Sequence, residues 1–112
     1  MLRLKTNNTM RKEISYKELT KKLGSFISIE NAPSKNGENE APNQFIYQFD
    51  NGSMLQSYKT PVAAWVNGTL YLNEPYHACS TTTNRFVKQY TNLSKSEREK
   101  GIADGSIKTF TL

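Results

Sequence analysis

Cysteine and histidine are nearly missing from this sequence, with one of each, Cys79 and His77, among 112 residues. A lone cysteine closes no internal disulfide, so the expected setting is the cytoplasm rather than an oxidising compartment. A structural zinc site takes four ligands, usually in paired Cys or His spacings, and this chain offers two. Cys79 and His77 could share one face of a strand as a nucleophile pair, but no third residue stands ready to orient the histidine. No apolar run approaches the ~20 residues of a membrane span. The basic start, Met1 to Asn8, lacks the apolar stretch of a secretory signal. Gly52 and Gly68 lie in turns that do not lead from a strand into a helix, so neither builds a phosphate cradle. Glu38 and Glu40 fall in a loop and Asp50 in a turn, which cannot hold two carboxyls at the fixed separation of a hydrolase. The expectation is a protein with no catalytic residues, no metal and no cofactor.

What is present is basic charge, unevenly placed. Residues 1–24 carry seven Lys and Arg against two Glu, and residues 85–112 carry six against three acidic groups. The middle, 25–84, has Lys35 and Lys59 against Glu30, Glu38, Glu40, Asp50 and Glu74. If the two flanks gather on one side, they form a positive face that attracts phosphate backbones. If they lie apart, the charge serves solubility.

The length fits one domain, residues 1–112, with a single modest core. Residues 1–12 lack a hydrophobic period and read as a loose arm. Ser15 and Glu18 have the spacing of a capping box, with Ile14 and Leu19 at the staple positions, opening a short helix that Gly24 stops. Phe26 to Ile29 has strand content. Residues 31–43 are almost without apolar groups and read as a flexible loop. Phe45, Tyr47 and Phe49 then alternate along a strand. Asn51-Gly52 predicts a type I′ hairpin, and Asn67-Gly68 a second. Pro61 is expected to interrupt pairing, and Tyr76 to Cys79 to form a last short strand. Ser80 caps a helix whose Phe86, Val87 and Tyr90 face the sheet. Ser94 and Glu97 form another capping box, and Ile107 to Leu112 a terminal strand at the sheet edge. The expected fold is α+β: an antiparallel meander of four to five strands, packed on one face by the Ser80–Tyr90 helix, with a short capped helix near the N-terminus.

Three phrases occur in order: Phe49-Asp50-Asn51-Gly52, Ser57-Tyr58-Lys59-Thr60-Pro61-Val62-Ala63 and Ser80-Thr81-Thr82-Thr83. In these the chain resembles a family of small uncharacterised proteins common in bacteriophages and mobile elements. The resemblance covers about residues 45–92. Phe86 stands where that family tends to have histidine. The resemblance implies a phage or mobile-element origin and a bacterial host cell, and it implies no activity.

Two functions are expected from different classes. In the first, the chain is a non-enzymatic module that binds single-stranded nucleic acid. Lys17, Lys21, Lys22, Arg85 and Lys88 meet phosphates, while Tyr58 and Trp65 stack on bases. In the second, it is a phage-encoded inhibitor of a host or defence protein, of anti-restriction, anti-CRISPR or host-takeover type, with its acidic middle and its aromatics in contact with the target. A homodimer, with strand aromatics as contacts, belongs to either.

Overall fold

The computed structural model describes residues 13–34 and 40–112. Their elements are β1 (Glu13–Ser15), α1 (Tyr16–Leu23), β2 (Phe26–Pro33), β3 (Glu40–Phe49), β4 (Gly52–Ser57), β5 (Thr60–Val66) and β6 (Thr69–Asn73), followed by α2 (Thr81–Thr91), α3 (Lys95–Asp104) and β7 (Lys108–Thr111). The expected loose arm at 1–12 lies outside the described residues.

The class is α+β, but the expected four- to five-stranded antiparallel meander is wrong. One sheet holds seven strands in the order β1-β7-β6-β5-β4-β3-β2. It is mixed: β7 runs parallel to β6, pairing Leu72 with Thr109, and β1 runs parallel to β7, pairing Ile14 with Phe110. The error has a physical source. A parallel partner needs a crossover, here α2 and α3, and nothing local marks a strand as the end of one. The terminal strand is therefore not at the edge, because β1 covers it.

Helices also cover both faces rather than one. Leu55, Ala63, Leu70 and Leu72 pack against Phe86 and Val87 of α2 and Ile102 of α3. Met54, Ala64, Val66, Tyr71 and Phe110 pack on the opposite face against Leu19 and Leu23 of α1. The alternation of Ala63 and Ala64, or Leu70 and Tyr71, thus feeds two cores, since successive strand residues point to opposite sides.

Helix starts are set by local side chains. Ser15 Oγ accepts the Glu18 N–H at 3.1 Å, and Ser80 Oγ accepts that of Thr83 at 3.1 Å. At Ser94 the box is complete, with Glu97 Oε1 accepting the Ser94 N–H at 2.8 Å and Ser94 Oγ accepting the Glu97 N–H at 3.2 Å. These hydrogen bonds hold the Glu97 carboxyl below its usual range.

Several turns differ from expectation. Asn67 and Gly68 both have positive φ, 49° and 84°, as a type I′ hairpin requires. Asn51 and Gly52 do not. The β3–β4 loop is Asp50-Asn51, and Gly52 is already paired, with Phe49 and with Val66. Pro61 does not end pairing either. It lies opposite Gln56, where a register shift between Leu55 and Gln56 absorbs its missing donor. The expected flexible loop 31–43 is mostly strand. Asn31–Pro33 belong to β2 and Glu40–Asn43 to β3, Asn31 Nδ2 donates to the Ala41 carbonyl, and only 35–39 lie outside the described residues. Tyr76 to Cys79 form turns instead of a strand, because the N–H groups of Tyr76 and His77 both donate to the Asn73 carbonyl.

Tyr58 sits in the two-residue β4–β5 loop at φ 57°. Its N–H donates to the Asn43 carbonyl at 2.6 Å, and its ring is exposed. A bulky residue in the left-handed region is strained, and asparagine tolerates that region. Tyr58→Asn is expected to stabilise the fold by about 0.5–1 kcal/mol, read as a raised urea midpoint. An unchanged or lowered midpoint would show that the exposed ring contributes more than the strain costs.

Candidate nucleic-acid interface

The α1 face of the sheet is only partly covered. The helix lies over residues of β4 to β7, and Tyr47 and Phe49 of β3 pack against the margin of that cluster, which leaves Phe26 and Ile29 of β2 as the exposed part of that end of the face. There Phe45, Tyr47 and Phe49 alternate along β3. Tyr47 lies across from Ile29 and Met54, and Phe49 across from Phe26. Tyr47 and Phe49 stack with centroids 6.4 Å apart, and Phe26 meets them edge-on at 6.1 and 6.0 Å. Edge-to-face and offset pairs of this spacing are mutually attractive. Phe26 and Ile29 are exposed, while Tyr47 and Phe49 are half-buried.

The helix beside this patch carries the basic side chains. Lys17, Lys21 and Lys22 are exposed on α1 and, with Ser15 and Glu18, line an open depression of about 530 Å³. The last turn of α1 is tied to the β3–β4 loop next to Phe49. Asn51 donates its N–H to the Leu23 carbonyl and its Nδ2 to the Lys22 carbonyl, each at 3.0 Å. Asp50 donates its N–H to the Ser25 carbonyl and accepts the Ser25 N–H at 3.3 Å. The Tyr16 ring lies 6.4 Å from that of Phe110 on β7, and burial, then Tyr47, raises its phenol above the usual range.

The remaining predicted residues lie elsewhere. Arg85 and Lys88 are exposed on α2, which packs on the opposite face of the sheet. The structure therefore does not gather the cations of the two chain ends. Tyr58 and Arg85 share one cleft of about 310 Å³, lined also by Thr82, Phe86 and Pro42, and the Arg85 guanidinium lies 5.0 Å from the Phe86 ring centroid. Trp65 is not on an open surface. It packs half-buried against the α2-side core beside Tyr90. The Tyr90 hydroxyl and Ser53 Oγ are 2.6 Å apart, and burial pushes the phenol up to about 12. The acidic middle makes no single patch. Glu30 is on β2, Glu40 opens β3, Asp50 is in the loop against Ser25, and Glu74 follows β6. Glu38 lies outside the described residues.

His77 and Cys79 are separated in environment: His77 is buried and Cys79 exposed. The His77 Nδ1 accepts from Arg98 Nε at 3.0 Å, which leaves that nitrogen unfit to serve as a base. No cluster of three or more metal-ligating side chains occurs among the described residues. The Ser57 and Ser80 phrases do converge. Ser57 Oγ lies 3.0 Å from Thr83 Oγ1, which also accepts from Ser80 Oγ at 3.2 Å, and Asn73 Nδ2 donates to the Pro61 carbonyl at 2.9 Å. These hydroxyls fasten α2 to β4. Gln44, cross-strand from Ser57, is buried with neither amide atom partnered among the described residues.

Sequence reasoning missed Phe26 and Ile29 as surface. The available signal was the start of β2, where Phe26, Ile27 and Ile29 are interrupted only by Ser28 and no charge protects the edge. It also missed the burial of Arg98, for which no local signal exists.

No helix among the described residues is long and apolar enough to cross a membrane. A family model described as a family of unknown function (DUF8033) matches residues 11–105. No curated protein and no solved structure matches the chain.

Proposed function

The chain belongs to the DUF8033 family of unknown function, and from the geometry of this member we propose that it binds single-stranded nucleic acid without catalysing a reaction on it. The observation that carries this reading is the ring patch of Phe26, Tyr47 and Phe49, exposed at Phe26 and half-buried at the other two, next to the lysine-bearing helix α1. Every base has a π-face, so such rings bind a single strand with little sequence preference, at about 1–3 kcal/mol per stacked base. The lysines supply the phosphate contacts, with Lys21 and Lys22 in the turn tied to the Phe49 loop. The proposed contact set is thus Lys17, Lys21 and Lys22 with Phe26, Tyr47 and Phe49. Tyr58, Trp65, Arg85 and Lys88 fall outside it. A cytoplasmic protein of phage or mobile-element origin fits this role.

Fluorescence anisotropy with labelled single-stranded oligonucleotides tests it. Three phosphate contacts give a slope of log K against log salt of about −2, or roughly a twenty-fold loss between 50 and 200 mM salt. The double change Lys21→Glu and Lys22→Glu should weaken binding at least about ten-fold. Arg85→Glu with Lys88→Glu, on the other face, should alter it less than about two-fold. No binding at low salt, or equal losses from both pairs, would overturn the proposal.

A further inference from the structure

We infer that two copies of this chain associate by antiparallel pairing of β2, joining their sheets edge to edge. β2 ends the sheet, with no strand beyond it among the described residues. Phe26, Ile27 and Ile29 on it are 55%, 62% and 48% exposed. An edge strand offers a row of backbone donors and acceptors, and folded proteins usually guard it with lysine, proline, inward charge or a bulge. Ser25 to Ile29 carries no lysine, proline or charge, and its one guard is the irregularity between Phe26 and Ser28. The charge and proline come later, at Glu30 and Pro33.

The strand is complementary to itself. Phe26 shares a face with Phe49 and Ile29 with Tyr47, so both point to the α1 side of the sheet. A two-fold axis between Ile27 and Ser28 sets Phe26 of each copy across from Ile29 of the other, on that same side. Glu30 then lies across from Ser25 rather than from a second Glu30, so no like charges oppose one another. The bulge between Phe26 and Ser28 confines the pairing to this short segment. The buried area is on the order of 1,000 Å² in total, near the lower limit for a specific interface. The expected dimer is therefore weak, with a dissociation constant in roughly the 10–100 μM range.

An axis normal to the sheet keeps both α1 faces on one side. The two ring patches become contiguous, and the two lysine-bearing helices flank them. At ~4.8 Å per strand those helices lie roughly 40 Å apart, several Debye lengths at physiological salt, so their charges do not oppose association.

Sedimentation velocity of the full chain without nucleic acid, from about 1 to about 500 μM, tests this independently of the proposed function. The expected result is a reversible monomer–dimer equilibrium that Ile27→Lys and Ile29→Lys, each at an exposed position, shift to monomer with the melting temperature preserved. Lys88→Glu should leave it unchanged. Backbone amides of 26–29 should gain hydrogen-exchange protection as concentration rises. A monomer at every concentration overturns the inference, as does a dimer that both lysine variants keep.

Discussion

Replacing Arg98 with methionine should cost the fold roughly 3–5 kcal/mol, the largest single-residue effect expected in this protein. Arg98 lies on α3 and is fully buried. Its Nε donates to His77 Nδ1 at 3.0 Å, Nη1 to the Leu93 carbonyl at 2.9 Å, and Nη2 to the His77 carbonyl at 3.3 Å and to Asn84 Oδ1. These acceptors are all neutral. Methionine matches the length but donates nothing, so four acceptors around a fully buried side chain lose their partner, and each costs about 1–3 kcal/mol before relaxation. Lysine restores part of the charge but not the planar fork that reaches α2 and the β6–α2 turns together. Urea unfolding measures the loss, and a value under about 1 kcal/mol would mean that water enters and replaces the guanidinium.

The same cluster makes stability depend on pH. Burial, then the Arg98 charge, lowers the His77 pKa from its ordinary 6.5. The folded protein therefore holds His77 neutral, while the unfolded chain takes up a proton near pH 6.5. The contribution is complete above that value. It declines as pH falls below 6.5 and is exhausted at the folded-state pKa. Arg98→Met removes one cause of the shift, so its stability should fall less steeply between pH 7 and 5 than that of the unaltered protein.

Gly52→Ala should cost about 3 kcal/mol or more, well beyond the roughly 1 kcal/mol expected of Gly68→Ala. The two glycines look alike in the sequence, each following an asparagine. At Gly68 the backbone is left-handed and a Cβ meets nothing within 4 Å, so only backbone strain is added. At Gly52 the backbone is ordinary, but a Cβ would overlap the Trp65 carbonyl oxygen on β5. No rotamer relieves a clash between a Cβ and a backbone atom. The β4–β5 ladder must part at Gly52–Val66 and Ser53–Trp65, next to the bond from the Asn67 N–H to the Asn51 carbonyl at 2.8 Å. Thermal melts of the two variants test the order, and Gly68→Ala proving the more harmful would sink this account.

The candidate site was legible in part. The alternation of Phe45, Tyr47 and Phe49 shows in the sequence, as does the basic helix at Lys17 to Lys22. Their adjacency does not, because it depends on Asn51 and Asp50 binding the end of α1, contacts that join residues more than twenty positions apart. Trp65 has the composition of a stacking residue, yet its strand parity sends it under α2. Arg85 and Lys88 were separated from the α1 lysines by the side of the sheet on which each helix landed.

Chain-local chemistry determined the helix starts at Ser15, Ser80 and Ser94 and the Asn67-Gly68 turn, since a cap or a tight turn is made by residues within a few positions of one another. Tertiary structure alone decided the parallel strands β1 and β7, the face on which each helix lies and the burial of Arg98. Those outcomes are set by which distant surfaces exclude water together, and a short strand of three or four residues carries no period strong enough to announce its partner.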